Sequence, residues 1–283
     1  MRGIIDFRLR PPLGGFLTTI MFRERERTMA RTRQLSLEPP PSLLDLSVDK
    51  LVAEMDDAGV EVGVITGRNT GTGFGTVGNE EVAAIAARYS GRFVACGAVN
   101  PVDPAAPREI DRIAGEWRMP AVSMEPGFAP EPMRANDRRL YPIYARCAER
   151  ALPVILTLSA MTGPDVGYCL PVDIDQVAHD FPALKLVIAH ACWPWVQPML
   201  GVAFRRPNVY VSPDIYAINL PGRDDFALAA RTYLQDRFLF ASGYPFAPVD
   251  GALEAYRAMG FAGQVAEKIF RRNAAELLRL GVA

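Results

Sequence analysis

Two arginines at the end of the first apolar segment could bind an anion. The stretch IIDFRLRPP (residues 4–12) places Arg8 and Arg10 two positions apart. Side chains at positions i and i+2 of a β-strand project from the same face, so the two guanidinium groups would share one surface. Guanidinium groups stay charged near neutral pH and bind carboxylates or phosphates in a bidentate geometry. The pattern therefore predicts a binding site for a small anionic molecule.

Internal ion pairs are the other interpretation of these arginines. Asp6, Glu125 and Asp214 are the carboxylates that could neutralise them. A buried pair of this kind contributes little to stability, although it can fix the geometry of the groups around it. The position at the end of a predicted strand favours the anion site, because active sites of parallel barrels lie there.

His190 is the strongest candidate for proton transfer. It ends the apolar stretch LKLVIAH (184–190), and an imidazole can act as an acid or a base near neutral pH. Glu125 and Asp214 follow other predicted strands and could assist as general bases. A core histidine with satisfied hydrogen bonds is the alternative for His190. The other histidine of the chain, His179, lies in a helical pattern and is expected at the surface.

Further candidates for substrate contact lie at or just after the ends of the other predicted strands. Amide, hydroxyl and guanidinium groups there could hydrogen-bond an anion, and aromatic rings could stack on an aromatic substrate. These substrate-binding candidates are Arg68, Asn100, Thr157, Trp193, Tyr216, Ser242 and Tyr244.

Eight short apolar segments alternate with helical patterns and must position these side chains. Most are apolar throughout, as is typical of strands covered on both faces. The predicted strands cover residues 3–9, 61–67, 93–99, 121–125, 153–159, 184–190, 208–213 and 237–243. The alternation predicts an α/β fold, a (β/α)8 TIM barrel that forms a single domain over residues 1–283. An open doubly wound sheet fits less well, since no GxGxxG motif follows a strand.

Local signals predict helix boundaries and one long insertion. A helix over residues 47–59 should have Ser47 as its N-cap, and Asn79 should cap a helix over residues 79–91. The segment 13–46 follows the first strand and reads as an irregular loop with a solvated, charged surface. A loop at this position of a barrel lies on the active-site face, so it is also a candidate lid.

Composition limits the classes of function. The 283 residues are 49% hydrophobic and 22% charged, as in ordinary globular proteins. A net charge of −1 gives no electrostatic argument for binding nucleic acid or an anionic membrane. Four cysteines without CxxC spacing are expected to be free thiols of a cytoplasmic protein. We find no spanning apolar run and no signal-peptide pattern.

Seven segments, in this order and spacing, resemble the amidohydrolase superfamily. They are IIDFRLRPP, SVDKLVAEMDDAGVEVGVI, NEEVAAIAARYSGRFVACGAVNP, LYPIYARCAERALPVILT, FPALKLVIAHACWPW, LFASGYPF and RRNAAELL. The resemblance is to the amidohydrolase 2 branch, whose decarboxylases, hydratases and lactonases act on aromatic or dicarboxylic acids. It implies a distorted (β/α)8 barrel with the active site at the carboxyl ends of the strands. It also implies one divalent metal, which activates water or polarises a carbonyl.

Most of the metal ligands that the resemblance implies are replaced in this sequence. The family holds the metal with two histidines of a D-x-H-x-H segment, histidines that end strands 5 and 6, and an aspartate on strand 8. The corresponding residues here are Arg8, Arg10, Thr157, His190 and Gly243. Guanidinium groups have no lone pair to donate and would repel a dication, whereas a zinc site needs about three protein ligands. The sequence therefore predicts no metal and no other cofactor.

One atypical metal site stays open at this point. Asp6, Glu125, His190 and Asp214 together could hold a hard cation in principle. The neighbouring arginines make this arrangement less favourable than a site without metal, because their positive charge opposes a bound dication.

These observations predict a metal-independent enzyme of the amidohydrolase fold that acts on an anionic small molecule, aromatic or CoA-linked. Arg8 and Arg10 would hold the anion, and His190 would transfer protons. The reaction could be hydrolysis of an ester, lactone or thioester, or a lyase step such as decarboxylation. The alternative is a catalytically inactive barrel that binds a small anionic ligand or a protein partner. A homodimer is a candidate assembly.

Overall fold

Seven parallel strands form the centre of the fold. The structure, a computed structural model of the chain, describes residues 3–281, and within them each strand pairs with the next one along the sequence. The strands are β1 Ile4–Leu9, β2 Val60–Thr66, β3 Phe93–Ala98, β4 Val122–Met124, β5 Val154–Ser159, β6 Leu186–Trp193 and β7 Val209–Ser212. Seven of the eight predicted strands therefore form, and their mostly buried residues confirm that both faces of the sheet are covered.

Helices surround this sheet, as the TIM-barrel prediction requires. They are α1 Ile20–Arg23, α2 Arg25–Gln34, α3 Pro41–Leu44, α4 Val48–Ala58, α5 Asn79–Arg88, α6 Ala106–Gly115, α7 Tyr141–Glu149, α8 Pro171–Asp180, α9 Val196–Arg205, α10 Arg223–Arg231, α11 Val249–Arg257, α12 Gly263–Glu267 and α13 Asn273–Leu277. Between α12 and α13 runs a π-helical turn, Lys268–Arg272. Across residues 3–281, no helix has the length and apolar character needed to cross a membrane.

The predicted eighth strand, residues 237–243, is not a regular strand. The segment lies between β7 and β1 and still joins them through backbone hydrogen bonds. The N–H of Leu239 donates to the carbonyl of Val211 at 2.9 Å, and the N–H of Phe7 donates to the carbonyl of Phe240 at 3.0 Å. The barrel is thus closed by a few hydrogen bonds rather than by a continuous ladder.

Asp6 explains part of this irregularity, because its side chain replaces a backbone partner. Its Oδ1 accepts the backbone N–H groups of Ser242 at 2.9 Å and Arg8 at 3.1 Å. Its Oδ2 has no hydrogen-bond partner among residues 3–281. Burial raises the pKa of Asp6 to about 6, against the hydrogen bonds, which lower it. Asp6 therefore binds backbone and does not form one of the predicted ion pairs with an arginine.

Replacing Asp6 with asparagine should flatten the pH dependence of stability. The folded-state pKa of about 6 exceeds the unfolded value of 3.8, so the folded protein binds the extra proton and loses stability as pH rises between these values. From about pH 5 to about pH 7, wild-type protein should lose roughly 1 kcal/mol relative to Asp6→Asn. Urea unfolding at both pH values measures this difference. Parallel pH profiles for the two proteins would contradict it.

The predicted boundaries are correct for α4, whereas α5 has a different N-cap and ends at Arg88, before the predicted residue 91. Ser47 caps α4 by accepting a backbone N–H of the first turn at 3.2 Å, and Gly59 ends the helix with φ at 77°. Asn79 does not cap α5, because Gly78 occupies the N-cap position. The Asn79 side chain instead pairs with the backbone N–H and carbonyl of Ala98, at 2.6 and 3.0 Å. This pairing ties the start of α5 to the end of β3.

The segment 13–46 is helical, which corrects the prediction of an irregular loop. It contains α1, α2 and α3, and α2 is anchored by Thr32, whose hydroxyl donates to the carbonyl of Phe246 at 2.9 Å. The alternating charges suit a helix, since Arg27 pairs with Glu24 three residues earlier at 2.9 Å. These charges are exposed, while Met29 is buried. The segment thus packs as a helical cover over the barrel mouth.

Candidate active site

A cavity of about 140 Å³ lies at the carboxyl ends of the strands, beneath the segment 13–46. An engineered cavity of about this volume in another protein holds benzene, so the size suits a single-ring molecule. Six predicted site residues line it, and they are Arg10, Arg68, Glu125, Thr157, His190 and Tyr216. The cavity therefore brings together half of the twelve site residues that the sequence predicts.

Arg8 lies just outside the cavity wall, between two carboxylates. Its Nη2 donates to the hydroxyl of Thr157 at 3.0 Å and lies 3.8 Å from Oε1 of Glu125. Its Nε lies 3.6 Å from Oδ2 of Asp214. Burial lowers the pKa of Arg8, and the two carboxylates oppose this effect. Arg8 thus fits the internal ion-pair interpretation.

Arg10 has a different environment from Arg8. It is 6% exposed, and within residues 3–281 its guanidinium donates no hydrogen bond. The nearest carboxylate oxygen, Oε1 of Glu125, is 4.0 Å away. Burial lowers the pKa of Arg10 well below its ordinary value, and the charge of Arg8 lowers it further. A buried cation that donates no hydrogen bond and has only one distant carboxylate contact is costly, so this group is suited to an anion that enters the cavity.

Glu125 is an ion-pair partner rather than a proton donor. Its Oε2 lies 3.1 Å from Nε of Arg68, whose guanidinium sits over the rings of Phe74 and Phe128. Burial raises the pKa of Glu125, but the charges of Arg68, Arg10 and Arg8 outweigh it, so the pKa is lowered overall. Glu125 is consequently ionised at neutral pH and is a weak base.

His190 and Asp214 form a hydrogen-bonded pair beside Arg10. Nδ1 of His190 lies 2.6 Å from Oδ1 of Asp214, which also accepts the N–H of Ile215 at 2.7 Å. The other oxygen of Asp214, Oδ2, faces the Arg8 guanidinium. This positive charge favours the ionised carboxylate, which can only accept a hydrogen bond from His190. The proton of this bond therefore belongs to Nδ1, which leaves a lone pair on Nε2 of the neutral ring.

The electrostatics keep His190 neutral near physiological pH. Burial lowers the pKa of His190, and the arginines lower it further, whereas Asp214 raises it. The net shift is downward, so the ring is unprotonated and available as a base. The backbone holds this ring in an uncommon conformation, because φ is positive at three consecutive residues, with 68° at His190, 49° at Ala191 and 54° at Cys192. Such runs are uncommon and cluster at functional sites.

Asn100 and Trp193 are predicted to contact substrate but do not line the cavity. Oδ1 of Asn100 accepts the N–H of Val102 at 3.2 Å, which turns the side chain into its own loop. The indole N–H of Trp193 donates to the carbonyl of Pro221 at 3.0 Å, and its ring stacks on Tyr216 with centroids 5.1 Å apart. Trp193 therefore supports the cavity wall from behind.

Ser242 and Tyr244 are likewise outside the cavity wall. Both are fully buried, and Oγ of Ser242 accepts the N–H of Tyr244 at 3.1 Å. The hydroxyl of Tyr244 lies 2.9 Å from Oγ of Ser42, beneath the segment 13–46. These groups stabilise the irregular eighth segment, and their hydrogen bonds are used internally.

The residues at the family's metal position do not fit a metal. Within residues 3–281, no group of three or more His, Cys, Asp or Glu side chains could hold an ion. A side chain at Gly243 would meet Cγ2 of Ile215 at 2.7 Å, so there is no room for the aspartate of the family. Thr157 is bound to Arg8, which itself has no donor electron pair. No step of chemistry is therefore assigned to a metal.

Some lining residues were not predicted, and several belong to the segment 13–46. Arg31 of α2 and Met21 reach the cavity from this side, and Phe246 reaches it from the loop after the eighth segment. The position of the segment after β1 predicts a lid on this face of the barrel. It does not indicate which residues of the segment face the cavity. The stretch RERERTMARTR has too few apolar residues for helical periodicity to indicate its inward face.

The sequence matches the amidohydrolase family over residues 5–280, which is nearly the whole chain. This protein belongs to the amidohydrolase family. The match confirms the resemblance seen in the seven segments, and it includes all of the residues around the cavity. A comparison with the curated proteins gives no match.

Solved structures agree with the amidohydrolase fold. An uncharacterised TIM-barrel protein, Bb4693 of Bordetella bronchiseptica, is 41% identical over 98% of both chains, with a TM-score of 0.92. A dihydroxybenzoic acid decarboxylase from Polaromonas with bound manganese is 17% identical over 100% of this chain and 98% of its own, with a TM-score of 0.69. The 5-carboxyvanillate decarboxylase of Sphingomonas paucimobilis is 19% identical over 99% of both chains, with a TM-score of 0.68. At these lower identities the likeness shows the fold alone.

Proposed function

We propose that this amidohydrolase is a metal-independent enzyme that hydrolyses an ester or lactone of a small, single-ring acid. The observation that carries the proposal is the pairing of His190 with Asp214 in one cavity with Arg10, a buried cation that donates no hydrogen bond among residues 3–281. A base and a buried cation next to each other suit a reaction in which a proton leaves water while negative charge develops on oxygen.

The chemistry would proceed in two steps. Nε2 of His190 takes a proton from water as the water oxygen bonds to the carbonyl carbon, and the carbonyl oxygen becomes an oxyanion facing Arg10. The oxyanion then re-forms the carbonyl, the bond to the leaving oxygen breaks, and His190 returns its proton to that oxygen. Asp214 holds the ring in the correct tautomer throughout. The product acid ionises and leaves its carboxylate on Arg10.

The position of negative charge in the transition state favours hydrolysis over decarboxylation at this site. In hydrolysis, negative charge appears on the oxygen near Arg10 in the transition state, so the cation stabilises that state more than the substrate. In decarboxylation, charge leaves the carboxylate, and a cation that binds this group stabilises the substrate instead. Decarboxylases among the structural neighbours still support an aromatic acid as the ligand class.

A substrate panel tests the proposal. It contains aromatic lactones and phenyl esters, with and without a carboxylate, and hydroxybenzoates as decarboxylation substrates. We expect ester or lactone turnover by protein treated with a chelator, and no release of carbon dioxide. Carbon dioxide release would favour the lyase alternative. Binding without any turnover across the panel would favour an inactive barrel.

The pH dependence of turnover should place the base below the ordinary histidine pKa. The neutral ring is the active form, and burial lowers the pKa of His190 from 6.5. The value of kcat/KM should therefore stay level from about pH 8 to below about pH 6.5 and fall only at more acidic pH. Initial rates across this range test the expectation. A midpoint at or above the ordinary histidine value would contradict it.

A further inference from the structure

Arg31 of α2 brings to the cavity a cation that forms no ion pair among residues 3–281. Its guanidinium lies over the ring of Phe246 at 5.8 Å, and Nη2 lies 3.9 Å from the sulfur of Met161. Within residues 3–281, no carboxylate oxygen lies within ion-pair distance of it. The neighbouring Arg27 also lines the cavity, but its charge is neutralised by Glu24 at 2.9 Å.

Arg10 and Arg31 approach the cavity from different sides. Arg10 follows β1 and belongs to the barrel floor, whereas Arg31 belongs to the helical cover. Tyr216 lines the same cavity as Arg31, and its ring packs against that of His190 with centroids 5.2 Å apart. The apolar part of the cavity lining includes four aromatic rings, those of Phe74, Phe128, Tyr216 and Phe246, together with isoleucine and methionine side chains.

We propose, on the basis of the function proposed above, that the substrate carries a second carboxylate that does not react and that binds Arg31. The reacting carbonyl then meets His190 and Arg10 on the floor, while the second carboxylate meets the cation of the cover. The hydrolysis product is accordingly a hydroxylated dicarboxylic acid. A guanidinium binds a carboxylate in a bidentate geometry, and aromatic walls accept the ring that joins the two ends.

Product-like carboxylates test this proposal by isothermal titration. The probes are benzoate, with one carboxylate, and isophthalate and terephthalate, with two. In wild-type protein at least one dicarboxylate should bind about 10-fold tighter than benzoate. In Arg31→Met this preference should disappear, with benzoate affinity unchanged. Arg31→Lys should keep part of the preference, because it keeps the charge and loses the bidentate geometry.

Arg33→Met is the matched control, since Arg33 is exposed on the same helix and does not line the cavity. It should leave all three affinities unchanged. Equal affinities for benzoate and both dicarboxylates in wild-type protein would overturn the second carboxylate site, as would a preference that survives in Arg31→Met. If Arg10→Met still weakens benzoate binding in those cases, only the proposal of a second carboxylate site is wrong. If wild-type protein binds none of the probes, the proposed function is wrong as well.

Discussion

Arg10→Met should be more stable than the wild-type protein and should fail to bind carboxylates. The guanidinium is buried, has no hydrogen-bond partner and lies 4.0 Å from the nearest carboxylate oxygen. A methionine of similar length removes this poorly compensated buried charge, while Arg8 and Arg68 still pair with Glu125, so the free energy of unfolding should rise by about 1–2 kcal/mol. The affinity for benzoate should fall by about 10²-fold, because a charge-assisted pair of hydrogen bonds is lost. Chemical unfolding and isothermal titration measure the two effects.

Arg8→Met is the matched comparison, because it makes the same substitution two residues earlier. Arg8 is enclosed by Glu125, Asp214 and Thr157, so its loss leaves two buried carboxylates without their shared cation. The free energy of unfolding should fall by about 3 kcal/mol. Opposite signs for the two variants would separate the ion-pair role of Arg8 from the anion-binding role of Arg10. Destabilisation by Arg10→Met, to a similar extent, would contradict this assignment.

His190→Asn should lose turnover while keeping its affinity for benzoate. The amide can hydrogen-bond Asp214 but cannot accept a proton from water, so kcat should fall by about 10²–10⁴-fold. Binding should persist because Arg10 is untouched. Both kcat and the affinity for benzoate should be measured on the same preparation. A fall in kcat with unchanged affinity shows that the chemistry, and not the fold, is lost.

His179→Asn provides the control for this substitution. His179 is the other histidine of the chain, is exposed at the end of α8 and lies far from the cavity lining. Its replacement should leave kcat unchanged. Unchanged turnover in His190→Asn would instead contradict the catalytic role and favour an inactive binding barrel. Asp214→Asn should slow turnover as well, since the amide no longer holds Nδ1 of His190 as the donor.

The sequence predicted the barrel well because local signals and global fold agree over most of the chain. Continuous apolar segments mark β2 to β7, and Ser47 and Gly59 mark α4 correctly. The prediction of a regular eighth strand is wrong because Ser242 donates its backbone N–H to the side chain of Asp6, 236 residues earlier in the chain, rather than to a backbone carbonyl. No local pattern reports such a contact.

Within the site, residue types were predictable but their partners were not. Arg8 and Arg10 look equivalent in sequence, yet Arg8 contacts Glu125 and Asp214 and donates to Thr157, whereas Arg10 reaches only Glu125, at 4.0 Å. The pairing of His190 with Asp214 joins residues 24 positions apart through the geometry of two strand ends. Arg31 was missed because its helix was interpreted as an irregular loop. These differences arise from tertiary packing, which periodicity does not encode.

The proposed mechanism needs no metal, a claim that is tested by measuring metal content and turnover on the same protein. Purified protein is dialysed against EDTA, its metal is quantified by elemental analysis, and the same fraction is assayed with the best substrate of the panel. We predict full turnover at a metal content far below one ion per chain, with no increase on adding Mn²⁺ or Zn²⁺. Loss of turnover on chelation, restored by either ion, would contradict the claim.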